Sequence, residues 1–178
     1  MNTISLHSSR LLRTAVIDTL LAGSVLLIPA ASHLTAWPLY RFNPMWVILL
    51  AGMLLVNDRR NSLLLAVALP LLSCLLVGMP TPIKTLCMGA EMTTLVLLYP
   101  MLQRGNRSFL PTWGSLLAAM VCAKAVYYLL KLAVTGELLV GTSPLLQAAT
   151  LLAYSLPFAL ISVARSRSQD RQPGRDRC

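Results

Sequence analysis

The chain has 178 residues, of which 56% are hydrophobic and 12% charged. So little charge cannot cover a water-soluble domain of this size, and a positive mean hydropathy places the chain among membrane proteins. A net charge of +9 does not mark a nucleic-acid binder, because most Lys and Arg stand in short clusters between apolar runs, as topology signals do.

Six apolar stretches read as membrane helices: Leu11–Ser32, Phe42–Val56, Ser62–Gly78, Ile83–Met101, Thr112–Val134 and Ser143–Ala164. The expected fold is therefore all-α, a six-helix membrane bundle over residues 1–164 followed by a basic, disordered cytoplasmic tail over 165–178. Arg10 and Arg13 precede the first stretch and Pro29-Ala30-Ala31-Ser32 resembles a cleavage region, yet Asp18 and the length favour a retained helix over a signal peptide. Ala15, Thr19 and Gly23 fall at four-residue spacing, giving a small-residue stripe for close packing inside the bundle or for docking another membrane protein. Asp18 is expected to pair with Arg59 or Arg60, or with a partner.

The loop after this helix, His33 to Pro44, combines Trp37, Tyr40 and Arg41. The second stretch is short, and the charges decide whether it crosses. With both termini cytoplasmic, the inner side holds Arg10, Arg13, Arg59, Arg60, Arg104, Arg107, Arg165, Arg167, Arg171, Arg175 and Arg177, and the outer side only Arg41 and Lys84. That bias exists only if the second stretch crosses, so it is counted as a span. The expected location is the plasma membrane of a bacterium, multi-pass. The third stretch is stopped by Gly78-Met79-Pro80-Thr81-Pro82, where proline removes donors and stiffens the turn.

The last three stretches carry polar residues at helical spacing. Lys84, Cys87, Met88, Glu91 and Thr94 recur on the fourth, Lys124, Tyr127, Tyr128, Lys131 and Thr135 on the fifth, and Gln147, Thr150, Tyr154 and Pro157 on the sixth. Ionisable groups at membrane depth cost several kcal/mol unless they meet a partner or a watered cavity. With a rise of about 1.5 Å per residue, Glu91 lies ~12 Å below the outer end of its helix and Lys124 ~15 Å below the outer end of the next, so an ion pair between them is expected. Such a pair either fixes helix register or belongs to a ligand site. Lys131, nearer the mouth with Lys84 and Arg41, would favour a ligand with a carboxylate or phosphate; the Lys stems could instead snorkel to headgroups. Trp37, Tyr127, Tyr128, Gln147 and Tyr154 complete the expected pocket.

Cys74, Cys87 and Cys122 lie in apolar stretches, where Cys behaves as a small apolar residue, and Cys178 lies in the tail. No C-x-x-C pair, phosphate loop, H-E-x-x-H or Ser/His/Asp set is present, so neither metal, cofactor nor catalysis is expected.

The segment Pro70-Leu-Leu-Ser-Cys-Leu-Leu-Val-Gly-Met-Pro-Thr-Pro-Ile-Lys84, with Gly89-Ala-Glu-Met-Thr-Thr-Leu-Val-Leu-Leu-Tyr99, resembles the substrate-binding S components of energy-coupling-factor vitamin transporters. The resemblance covers about thirty residues; elsewhere it rests on size and span number. It implies a six-helix bundle that captures a vitamin or related micronutrient at the outer face. It also implies docking, through the first helix, onto a transmembrane coupling protein with two ATPase subunits. The family's Ala-x-x-x-Ala docking motif is here Ala15-x-x-x-Thr19. Two other readings stay open: a small scaffold of the cell-shape machinery, and an ion-coupled transporter using Glu91.

Overall fold

Proline and glycine punctuate this chain, and the helices begin and end where they dictate. The computed structural model describes residues 3–35, 43–56, 58–78, 80–103, 108–136 and 144–170. They form six helices: α1 (Thr3–Thr35), α2 (Pro44–Val56), α3 (Arg59–Val77), α4 (Pro82–Leu102), α5 (Phe109–Thr135) and α6 (Pro144–Asp170). Helices α2, α4 and α6 each open on a proline, whose fixed φ suits a first turn where its missing N–H is not needed. Asp58 caps α3 by accepting the Arg60 backbone N–H at 3.0 Å. Helices α3 and α5 end on Gly78 (φ 71°) and Gly136 (φ 68°), left-handed positions that glycine occupies without strain. Their N–H groups return to the Cys74 and Leu132 carbonyls.

Four of these helices, α3 to α6, are long and apolar enough to cross a bilayer, so the chain has the helices of a multi-pass membrane protein. Helix α2 has only 13 residues, a length of ~20 Å. Its Trp46, Ile48, Leu49 and Leu50 are buried, so this short piece sits within the bundle.

Burial follows helical periodicity although hydrophobicity does not. On α3 the buried positions are Ser62, Leu65, Ala66, Leu69, Pro70 and Ser73; on α5 they are Thr112, Ser115, Leu116, Ala119, Met120 and Ala123. Both sets advance by three or four residues, and both mix apolar with small polar side chains. Large leucines face outward instead: Leu64, Leu75, Leu86, Leu110 and Leu129 are each more than 60% exposed. In lipid that arrangement is stable, because acyl chains solvate leucine while small residues let backbones approach. Helix α4 lies centrally, packed most heavily on α5 and α3, and α1 covers α2 and α3.

Close approach is clearest at Gly52 of α2, where an added Cβ would lie 2.8 Å from Leu65 Cδ1 and 3.4 Å from Leu21 Cδ1. Prolines interrupt α3 at Pro70, α4 at Pro100 and α6 at Pro157.

The helix ends depart most from the sequence reading in two places, the others agreeing to within three residues. Helix α1 starts eight residues before Leu11 and runs unbroken through Pro29-Ala30-Ala31-Ser32. Helix α6 continues through residues 165–170, which the sequence reading assigned to the tail. Nothing there breaks a helix before Pro173, and Ser166 and Ser168 donate their hydroxyls back to the Val163 and Ala164 carbonyls. Arg165 Nη1 donates to the Leu54 carbonyl of α2, tying this turn to the bundle.

Candidate functional site

Helices α4 and α5 are sequence neighbours joined by a short connection, and their antiparallel packing brings residues of matching depth together. Lys124 Nζ lies 2.7 Å from Glu91 Oε1. The ion pair expected from helix rise is therefore present. Glu91 is 1% exposed and Lys124 22%, so the acid is sealed and its cation lies on the less buried side. Among the described residues no other ion pair forms with this geometry.

Two aromatic rings enclose the ammonium. The Trp46 centroid, brought in by α2, is 5.5 Å from Nζ and the Tyr127 centroid, on α5, is 5.3 Å away. Rings at that range attract a cation through their negative faces, the more so where water is excluded. The charge is thus held by one carboxylate and two rings. Glu91 Oε2 and Trp46 Nε1–H are buried without a hydrogen bond of normal geometry. The two lie against each other, with the indole N–H directed to the carboxylate.

From Tyr127 the polar surface continues to α6. Tyr127 and Tyr128 meet edge to face, with centroids 5.4 Å apart. Tyr128 Oη donates to Gln147 Oε1 at 2.5 Å. Tyr154 is half-buried and packs against the core. The structure so joins Glu91, Lys124, Tyr127, Tyr128 and Gln147 through direct contacts. Lys131 is half-buried two turns further along α5, ~10 Å from Lys124 along the axis. Lys84, in the first turn of α4, is exposed. Trp37 and Arg41 lie outside the described residues.

Thr94, Thr150 and Thr135 turn inward on their own helices. Their hydroxyls bond to the Ala90, Gln147 and Lys131 carbonyls.

On α1, Ala15 and Thr19 are exposed and Thr19 Oγ1 donates to the Ala15 carbonyl at 2.8 Å. A methyl added at Gly23 would meet nothing within 4 Å. The small-residue stripe therefore faces outward and is not spent on packing within the bundle. Asp18 does not pair with Arg59 or Arg60: its Oδ1 accepts from Asn61 Nδ2 at 2.9 Å. Asn61 stands further into α3 than the two arginines, which are exposed at its start.

Sequence reasoning missed Trp46. Its signal is a tryptophan within an apolar run, where an indole N–H needs a reason to be buried. It also missed a cavity of about 340 Å³ that opens where α3 and α5 begin and α2, α4 and α6 end. None of the expected site residues lines it.

Comparison with family models, curated proteins and solved structures finds no match for this chain.

Proposed function

We propose that this chain is the substrate-binding subunit of an energy-coupling-factor type importer, a six-span protein of a bacterial plasma membrane with both termini inside. The observation that carries the reading is the Glu91–Lys124 pair under the Trp46 and Tyr127 rings. A charge pair that only fixed register would need no second aromatic wall. A flat heterocycle with an acceptor matches the less buried side: its ring stacks on half-buried Tyr127 and its acceptor meets the Lys124 ammonium. Lys131 lies along the same helix toward the outer end and takes the anionic part of the ligand. The outward Ala15–Thr19–Gly23 stripe supports docking on a transmembrane coupling protein, with two ATPases supplying the energy that this chain lacks.

The test is a panel of vitamins added to the purified full chain, read by thermal unfolding, with mass spectrometry of any co-purified small molecule. One vitamin should raise the Tm, and Lys131→Ala should weaken that protection. A panel with no shift and a preparation with no bound molecule would overturn the reading. The buried carboxylate favours one rival, an ion-coupled carrier with Glu91 as the titrating group. That carrier would move its substrate in vesicles containing this chain alone; an importer subunit would not.

A further inference from the structure

The cavity at the other end of the bundle has a different chemistry from the Glu91 site. Arg59 at the start of α3 and Arg165 near the end of α6 stand at it as exposed groups. Further in, its walls hold the buried hydroxyl-bearing residues Ser62, Thr112 and Tyr99, and half-buried Ser162. Met53, Leu54, Val96, Phe158 and Val163 supply an apolar flank. Among the described residues neither arginine forms an ion pair. Asp58 also lies at the cavity, with Oδ1 accepting the Arg60 backbone N–H. Two guanidinium groups and one carboxylate leave one net positive charge.

We propose that this cavity binds a phosphodiester carrying a donor group, the chemistry of a glycerol- or amine-headed phospholipid or of a soluble phosphate ester. Guanidinium forks suit phosphate oxygens because they present paired N–H donors in one plane. A single net positive charge matches a phosphodiester monoanion. The Asp58 carboxylate repels a bare dianion and accepts from a head that carries a hydroxyl or ammonium. The Thr112 hydroxyl, whose oxygen accepts from Gln103 Nε2, adds a donor to the phosphate, and the apolar flank receives the hydrocarbon attached to it. The position suits a lipid, since the cavity lies where five helices end and headgroups lie at that level. This inference does not rest on the importer reading.

The experiment uses the full chain in a non-ionic detergent, titrated with dioctanoyl phosphatidylglycerol, dioctanoyl phosphatidylcholine, soluble glycerophosphoglycerol or inorganic phosphate. Native mass spectrometry counts the lipid retained, and thermal unfolding gives the apparent affinity. Phosphatidylglycerol should be retained and should raise the Tm, whereas phosphatidylcholine, whose head has no donor for Asp58, should not. Arg59→Gln and Arg165→Gln should each weaken binding roughly tenfold, the scale of a charge-assisted hydrogen bond. Arg13→Gln, an exposed cation on α1, should leave it unchanged. Stabilisation by glycerophosphoglycerol that is lost in the same two variants supports the site with a soluble ester as its source, whereas inorganic phosphate, largely a dianion, should not stabilise the chain. Equal retention of phosphatidylcholine, or equal weakening by Arg13→Gln, would overturn the proposal. Should Arg165→Gln fail to fold for want of its bond to Leu54, Arg59→Gln and the wild-type contrast between the two lipids decide. The vitamin panel reads the other end of the bundle, so the two readings fail separately.

Discussion

At mid-depth Glu91 is 1% exposed and meets Lys124 at 2.7 Å under two aromatic rings, whereas at the cavity end Arg59 and Arg165 stand exposed with no carboxylate paired to either among the described residues. The same fold treats charge in two ways, and depth explains which. In the hydrocarbon layer an unpaired ion is too costly, so charge enters only as a tightly held pair. At the helix ends water and headgroups are within reach, and an unpaired guanidinium costs little. A pair in the interior acts as part of the packing. At the end, Arg59, with no carboxylate paired to it among the described residues, is available to whatever approaches.

The largest expected effect breaks the pair. Lys124→Ala leaves Glu91 buried without its cation and should destabilise the protein by about 3–5 kcal/mol, seen as a lowered midpoint in chemical denaturation. Replacing both residues by Met should recover most of that loss, because the buried charge goes with its partner. If the double variant were as unstable as the single one, packing rather than charge would control this depth.

Next comes Gly52→Ala, where the new methyl would lie 2.8 Å from Leu65 Cδ1. That overpacking should cost about 1–3 kcal/mol, whereas Gly23→Ala, with open space around it, should be neutral within about 0.5 kcal/mol. Measured side by side, the two glycines separate the bundle interior from the outward stripe.

A smaller effect belongs to Tyr128→Phe, which removes the bond to Gln147 and should cost about 1 kcal/mol in thermal unfolding. Smallest is Arg59→Gln, which should change stability by less than about 0.5 kcal/mol. A stability loss as large as that of Lys124→Ala would show that the cavity end is held by its charges, and would erase the contrast.

How much of this was legible in the sequence depends on how many helices each feature needs. Glu91 and Lys124 could be matched because helix rise is constant and their helices are joined by a short connection, so depth follows from counting. The starts of α2, α4 and α6 were read at Phe42, Ile83 and Ser143, within two residues of Pro44, Pro82 and Pro144. Trp46 escaped because its partner cation lies 78 positions later, and no local pattern connects α2 with α5. The cavity escaped for the same reason in stronger form: its walls come from five helices, each supplying only a few residues. Asp18 was assigned to Arg59, Arg60 or a partner, because opposite charges attract in a list. The three-dimensional register placed Asn61, an uncharged donor, at its depth instead. The outward direction of the Ala15 stripe was undecidable from spacing, which is the same for an inner and an outer face.

The prolines divide the long helices mechanically. Pro70 leaves the Ala66 carbonyl of α3 without its N–H donor, and Pro157 does the same for the Ala153 carbonyl of α6, whereas α5 has no such break after its first turn. Pro100 likewise frees the Val96 carbonyl of α4, so α5 is the stiff strut of the molecule, and α3, α4 and α6 are the members with a preset place to flex. Any motion that opens or closes the Lys124 region would swing the three jointed columns while the strut keeps its line.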